Sequence, residues 1–165
     1  IRRQRQMCIR DSYKGMNIMK SLSTYNLLYL KTAISTNIAT DIQYANFEMT
    51  LPFPPHKLIN YILELNHTSL QVQNARAKRV LNINKLIPIF IDNDTILFPI
   101  TQKRASIKYF INARKIIGIH SSVNATIIIF ENSTTLNIDT PYTLVTKKWQ
   151  ESLALGQIIE KTSFY

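Results

Sequence analysis

Apolar positions along this chain alternate with polar ones over some stretches and recur at helical spacing over others. Residues 25–31 are apolar and aromatic and predict a strand. Residues 41–51 alternate roughly and predict a second strand. Pro52, Pro54 and Pro55 then interrupt the chain. Pro55 suits the first position of a helix, where its missing N–H costs nothing. Leu58, Ile59, Ile62, Leu63 and Leu65 follow at helical spacing, with Asn66 as a stop. Residues 69–79 are polar and basic without glycine, and fit either a short helix or a loop.

The period then changes. Residues 87–91 and 95–100 are short β-rich runs around the turn signal Asp92-Asn93-Asp94. Two more follow at 106–111 and 114–119, interrupted by Asn112-Ala113 and Gly118. Residues 125–130 and 134–139 predict a hairpin around Glu131-Asn132-Ser133. Ile127-Ile128-Ile129 is apolar on both faces, as a central strand would be. Beyond it Thr140 suits a cap and Pro141 a first helical position. Tyr142, Val145, Trp149 and Leu153 form one apolar stripe. Together these elements predict an α+β fold. It has a mostly antiparallel β-sheet, an inserted helix near 55–66 and a C-terminal amphipathic helix near 141–159. With no internal repeat and no long linker, residues 16–165 are expected to form one domain.

The first fifteen residues stand apart. RRQRQMCIRDS resembles translated sequencing-adapter sequence, so residues 1–15 are expected to be a non-native extension, with the start at Met16 or Met19. The single cysteine, Cys8, falls inside that stretch, which excludes a disulfide scaffold. No apolar run approaches the length of a membrane span, so no membrane partner is expected and the expected location is the cytoplasm.

Charge sharpens the picture. The chain carries a formal net charge of +10, and a strongly basic balance points to a polyanionic partner. The excess is concentrated. Between Arg76 and Lys115 stand nine basic residues, Arg76, Lys78, Arg79, Lys85, Lys103, Arg104, Lys108, Arg114 and Lys115, against two acidic ones, Asp92 and Asp94. Such a block can neutralise several adjacent phosphates. Arginine suits this chemistry because its planar fork binds phosphate bidentately or enters a narrow minor groove. Gln71, Gln73, Asn74 and Gln102 lie nearby and offer amides to phosphate or base edges. The expected DNA-binding residues are therefore Arg76, Lys78, Arg79, Lys103, Arg104, Lys108, Arg114 and Lys115.

Catalytic chemistry finds no support in the pattern. His56, His67 and His120 are scattered, with no carboxylate at metal-ligand spacing. Asp92 and Asp94 lack the downstream Gly and Glu of a calcium loop and read as a polar turn. No nucleophile–base pair and no glycine-rich phosphate loop stands out, so no enzyme activity, cofactor or metal is expected.

The segment SLQVQNARAKRVLNINKLIPIFIDNDTILFPI, residues 69–100, resembles the central block of the competence transcription factors, the ComK family. The likeness rests on the basic stretch leading to Pro88-Ile89-Phe90-Ile91-Asp92, then a polar turn and Ile96-Leu97-Phe98-Pro99. Tyr109-Phe110-Ile111 and the hairpin-plus-helix at 125–156 extend it. Before the basic stretch the family carries a Cys and a Gly, where this chain has Asn66-His67-Thr68-Ser69-Leu70. The resemblance implies a cytoplasmic bacterial activator of DNA-uptake genes. It would bind A/T-rich boxes in double-stranded DNA largely through the minor groove. It also implies self-association, and turnover by adaptor and protease through a tail that longer members carry. Three other readings fit the residues. One is an interaction module or anti-activator of the same fold without DNA binding. Another is a LytTR-like reader of the major groove. The third is a single-strand or RNA binder using Tyr109 and Phe110 beside Lys108.

Overall fold

The computed structural model describes residues 22–34, 38–101 and 107–162. The expected extension at 1–15, the start at Met16 or Met19, and Lys103 and Arg104 lie outside them. The architecture is α+β, as the pattern predicts. Strands β1 (Leu27–Thr32), β2 (Thr40–Tyr44), β3 (Glu48–Leu51), β4 (Ile89–Asp92), β5 (Thr95–Thr101) and β6 (Lys108–Asn112) form a six-stranded sheet in the order β3-β2-β1-β6-β5-β4. Strands β7 (Ile116–Ser122), β8 (Ala125–Phe130) and β9 (Thr135–Ile138) form a second sheet with β8 at its centre. Every pairing is antiparallel. Among the described residues three helices complete it: α1 (Pro55–Leu65), α2 (Leu70–Leu81) and α3 (Tyr142–Thr162). A 3-10 turn at Ala113–Lys115 joins the two sheets.

Alternation places the core on both faces of the large sheet. Ile42, Tyr44, Leu97 and Phe110 point toward Leu58, Ile59, Ile62 and Leu63 of α1. Their neighbours Phe98, Ile100, Tyr109 and Ile111 point the other way, toward Ile128, Phe130, Leu136 and Val145. Strand β5 is buried on both sides because it is covered on both. A third cluster joins α2 to α3 through Ala77, Leu155 and Ile159, with Phe90 of β4 against it. The two helices thus cover the outermost strand, whose backbone groups would otherwise invite pairing with another chain.

Three expectations change on contact with the structure. Residues 41–51 form a hairpin, not one strand. The Tyr44 N–H donates to the Phe47 carbonyl at 2.9 Å and turns the chain. The apolar positions report this by switching phase, from Ile42 and Tyr44 to Met49 and Leu51. In α3 the buried line is Val145, Lys148, Ser152, Leu155, Gly156 and Ile159. Trp149 and Leu153 flank it, and Tyr142 is exposed. Thr140 does not cap the helix through its side chain, whose hydroxyl has no partner; the Pro141 carbonyl instead accepts from Leu144 and Val145.

Asn112 ties the large sheet together at one end. It is fully buried. Its amide donates to the carbonyls of Leu27 at 2.8 Å and Asp94 at 3.2 Å. Its oxygen accepts from the N–H groups of Ile96 and Arg114, both at 3.2 Å. All of its hydrogen-bonding capacity is matched, as burial requires.

Candidate nucleic-acid interface

The basic stretch after α1 is a helix. Helix α1 ends in a Schellman turn: the Thr68 N–H reaches the Leu63 carbonyl and the His67 N–H the Glu64 carbonyl, both at 3.0 Å. His67 holds φ 59° there, a left-handed position that glycine takes without strain. Ser69 then caps α2, accepting from the Val72 N–H at 3.3 Å. Asn82, at φ 53°, closes the helix. Gln73 and Ala77 are buried on its inner face. The Gln73 amide donates to the Thr68 hydroxyl at 3.1 Å, so it is not presented outward as the sequence suggested.

The outer face is Gln71, Val72, Ala75, Lys78, Arg79 and Asn82, all exposed. Arg76 lies at the margin, its guanidinium 5.9 Å from the centre of the Phe90 ring. No acidic residue occurs between Glu64 and Asp92. Among the described residues, the ion pairs involve neither Arg76, Lys78 nor Arg79. Lys108 is exposed at the start of β6, where it pairs in register with Thr101. Lys103 and Arg104 fall between Thr101 and Lys108 in the sequence, outside the described residues. His56, to which the sequence assigned no role, and Lys57 are exposed in the first turn of α1 and add polar groups there. Lys57 sits 4.9 Å over the Phe53 ring. Acidic groups gather at the opposite edge of the sheet, where Asp41 of β2 and Glu48 of β3 stand near Tyr29.

Arg114 and Lys115 are placed differently. The Arg114 guanidinium runs under α3, with Nη2 3.0 Å from Glu160. Gly156 makes the room: a Cβ at that position would stand 2.5 Å from Nη2. Lys115 Nζ lies 3.6 Å from Glu131. The Trp149 indole donates to the Ala113 carbonyl of the same turn at 3.1 Å. Both cations already neutralise carboxylates.

The remaining chemistry is structural. Tyr109 and Phe110 are buried, which removes them as a stacking platform for single strands. Burial, with Asp139 nearby, pushes the Tyr109 hydroxyl above its ordinary pKa, and burial does the same to Tyr29. Asp92 accepts from the Asp94 N–H at 2.8 Å, a turn contact, and from the Thr24 hydroxyl at 3.2 Å, which ties the turn to the segment before β1. Among the described residues no cluster has the makings of a metal site, and no helix is long and apolar enough to cross a membrane.

The fold is α+β with two sheets, and α2 presents Lys78 and Arg79 to solvent with no ion pair among the described residues. Comparison with protein families gives the family. Residues 23–163 match the family model described as ComK protein, so the chain belongs to the ComK family of competence transcription factors. Neither the curated proteins nor the solved structures searched returned a match.

Proposed function

We propose that this protein is a DNA-binding activator of bacterial competence genes, acting in the cytoplasm on A/T-rich duplex DNA. Helix α2 carries the reading: a surface helix with three cations, no carboxylate and exposed amides beside them. Arg76, Lys78, Arg79 and Lys108 are proposed to hold phosphates, and Lys103 and Arg104 to reach the minor groove from the β5–β6 connection. Arg114 and Lys115 belong to the basic block and add to the long-range field that steers DNA, while their carboxylate partners occupy them locally. Self-association and turnover by an adaptor and protease, implied by family, are part of the same proposal.

One observation favours a second docking mode. An α-helix fits the major groove, and the outward face of α2 offers Gln71, Lys78 and Arg79 to base edges. The deciding experiment is a gel shift on A/T-rich and G/C-rich duplexes across a salt series, with and without a minor-groove drug such as distamycin. Preference for A/T-rich duplex that the drug abolishes supports the minor-groove mode. Binding indifferent to the drug supports α2 in the major groove. No duplex binding at low salt overturns both and favours the interaction-module reading.

A further inference from the structure

Beside α2 lies an open cleft of about 280 Å³, of which the DNA reading uses only Lys108. Its floor is apolar: Ile59 of α1, Ile89 of β4 and Phe110 of β6 are buried there. Leu70 and Leu86 form half-buried walls. Leu86 holds φ 49°, a left-handed conformation that a leucine adopts only under constraint. Three polar side chains stand at the rim: His56, Asn74 and Lys108. Among the described residues none of the three makes a side-chain hydrogen bond, and no carboxylate lines the cavity. The first turn of α1 also faces it, with neither a side-chain cap nor an acidic residue to offset the positive end of the helix.

An apolar cleft edged by a few polar groups is an ordinary form of a small-molecule site. The donors select charge: an ammonium and an amide, together with a helix N-terminus, favour an anion. The floor selects an apolar body. We propose that this cavity binds a small amphipathic carboxylate, its anionic head at Lys108 and Asn74 and its hydrocarbon body against Ile59, Ile89 and Phe110. The site shares Lys108 with the DNA assignment and otherwise stands apart from it, since Ile59, Leu70, Asn74, Ile89 and Phe110 are not proposed DNA contacts. Because Leu70 and Asn74 lie on α2, occupancy would press on the helix that carries the exposed cations.

The test uses the full chain with three probes of equal length: octanoate, octanol and octylammonium. Amide chemical shifts are followed during titration. Octanoate should shift residues around Leu70, Asn74 and Leu86 saturably. Octanol should bind about three- to tenfold more weakly, the effect of losing one charge-assisted contact at a partly exposed site, and octylammonium more weakly still. Lys108→Met should bring octanoate and octanol together. Leu70→Trp should fill the cleft and abolish the shifts while leaving the melting transition cooperative. Equal binding of octanoate and octylammonium, shifts that survive Leu70→Trp, or no saturable shift in the wild-type chain would each overturn the proposal. Duplex affinity measured on Leu70→Trp keeps the two readings apart, since this substitution leaves every proposed DNA contact in place.

Discussion

Two groups of basic side chains from the same stretch of sequence are placed in opposite ways. On α2, Lys78 and Arg79 face solvent without an acidic partner among the described residues. On the 3-10 turn, Arg114 and Lys115 are each held by a carboxylate, Glu160 and Glu131. The difference lies in what covers each segment. Helix α3 passes over the turn and brings Glu160 and Trp149 to it, whereas α3 meets only the inner face of α2, at Ala77. A positive charge packed against its own protein contributes to folding. One left unpaired at the surface contributes little to folding and is available to a partner.

The comparison breaks most visibly at the turn. Trp149 packs on the second core cluster and donates to Ala113, so Trp149→Ala should cost about 3 kcal/mol. That is a large part of the stability of an ordinary domain. Thermal or urea unfolding reads it, and a melting point within a degree or two of wild type would show that α3 does not hold the turn.

A smaller effect isolates Arg114. Gly156→Ala places a methyl against Arg114 Nη2 and against Ile96 Cδ1 at 2.7 Å. It should destabilise by about 1–3 kcal/mol, although alanine favours helix by roughly 1 kcal/mol. Most of the penalty should disappear in the Arg114→Ala background. A double-mutant cycle by chemical denaturation should therefore give a coupling of at least about 1 kcal/mol, and additive effects would remove Arg114 from this position.

The smallest effect on stability sharpens the other side. Lys78→Ala and Arg79→Ala should leave unfolding within about 0.5 kcal/mol of wild type. Each should weaken duplex binding and reduce the log–log salt slope by about one unit. Lys115→Ala should change the slope much less. If Lys115→Ala and Arg79→Ala lowered duplex affinity equally, the two groups of cations would not differ in function.

The sequence made the element types legible because long periodic segments carry their own signal. The helix near 55–66, the turn at Asp92–Asp94 and the central position of β8 follow from spacing and punctuation alone. The buried line of α3 was less legible because three of its members are Lys148, Ser152 and Gly156. Each is there for a tertiary reason. The Lys148 ammonium donates to the Lys85 carbonyl and to Glu151, both at 2.8 Å. The Ser152 hydroxyl donates to the Lys148 carbonyl at 2.7 Å, and Gly156 admits Arg114. In the candidate interface, composition located the basic block but could not divide it. Glu160 is 46 positions from Arg114, and only the fold brings them together. The cleft beside α2 left no mark in the sequence, since its lining comes from three strands, two helices and the loop before β4.

Asn112 carries a consequence for the order of folding events. Its four hydrogen bonds reach Leu27, Asp94, Ile96 and Arg114, so one amide depends on β1, the β4–β5 turn and the end of β6 being in place together. The span to Leu27 is 85 positions, a loop whose closure opposes early formation. If this set of bonds forms last, Asn112→Ala should raise the unfolding rate more than it lowers the folding rate, which stopped-flow kinetics would read. That outcome would make the amide a latch on the finished sheet.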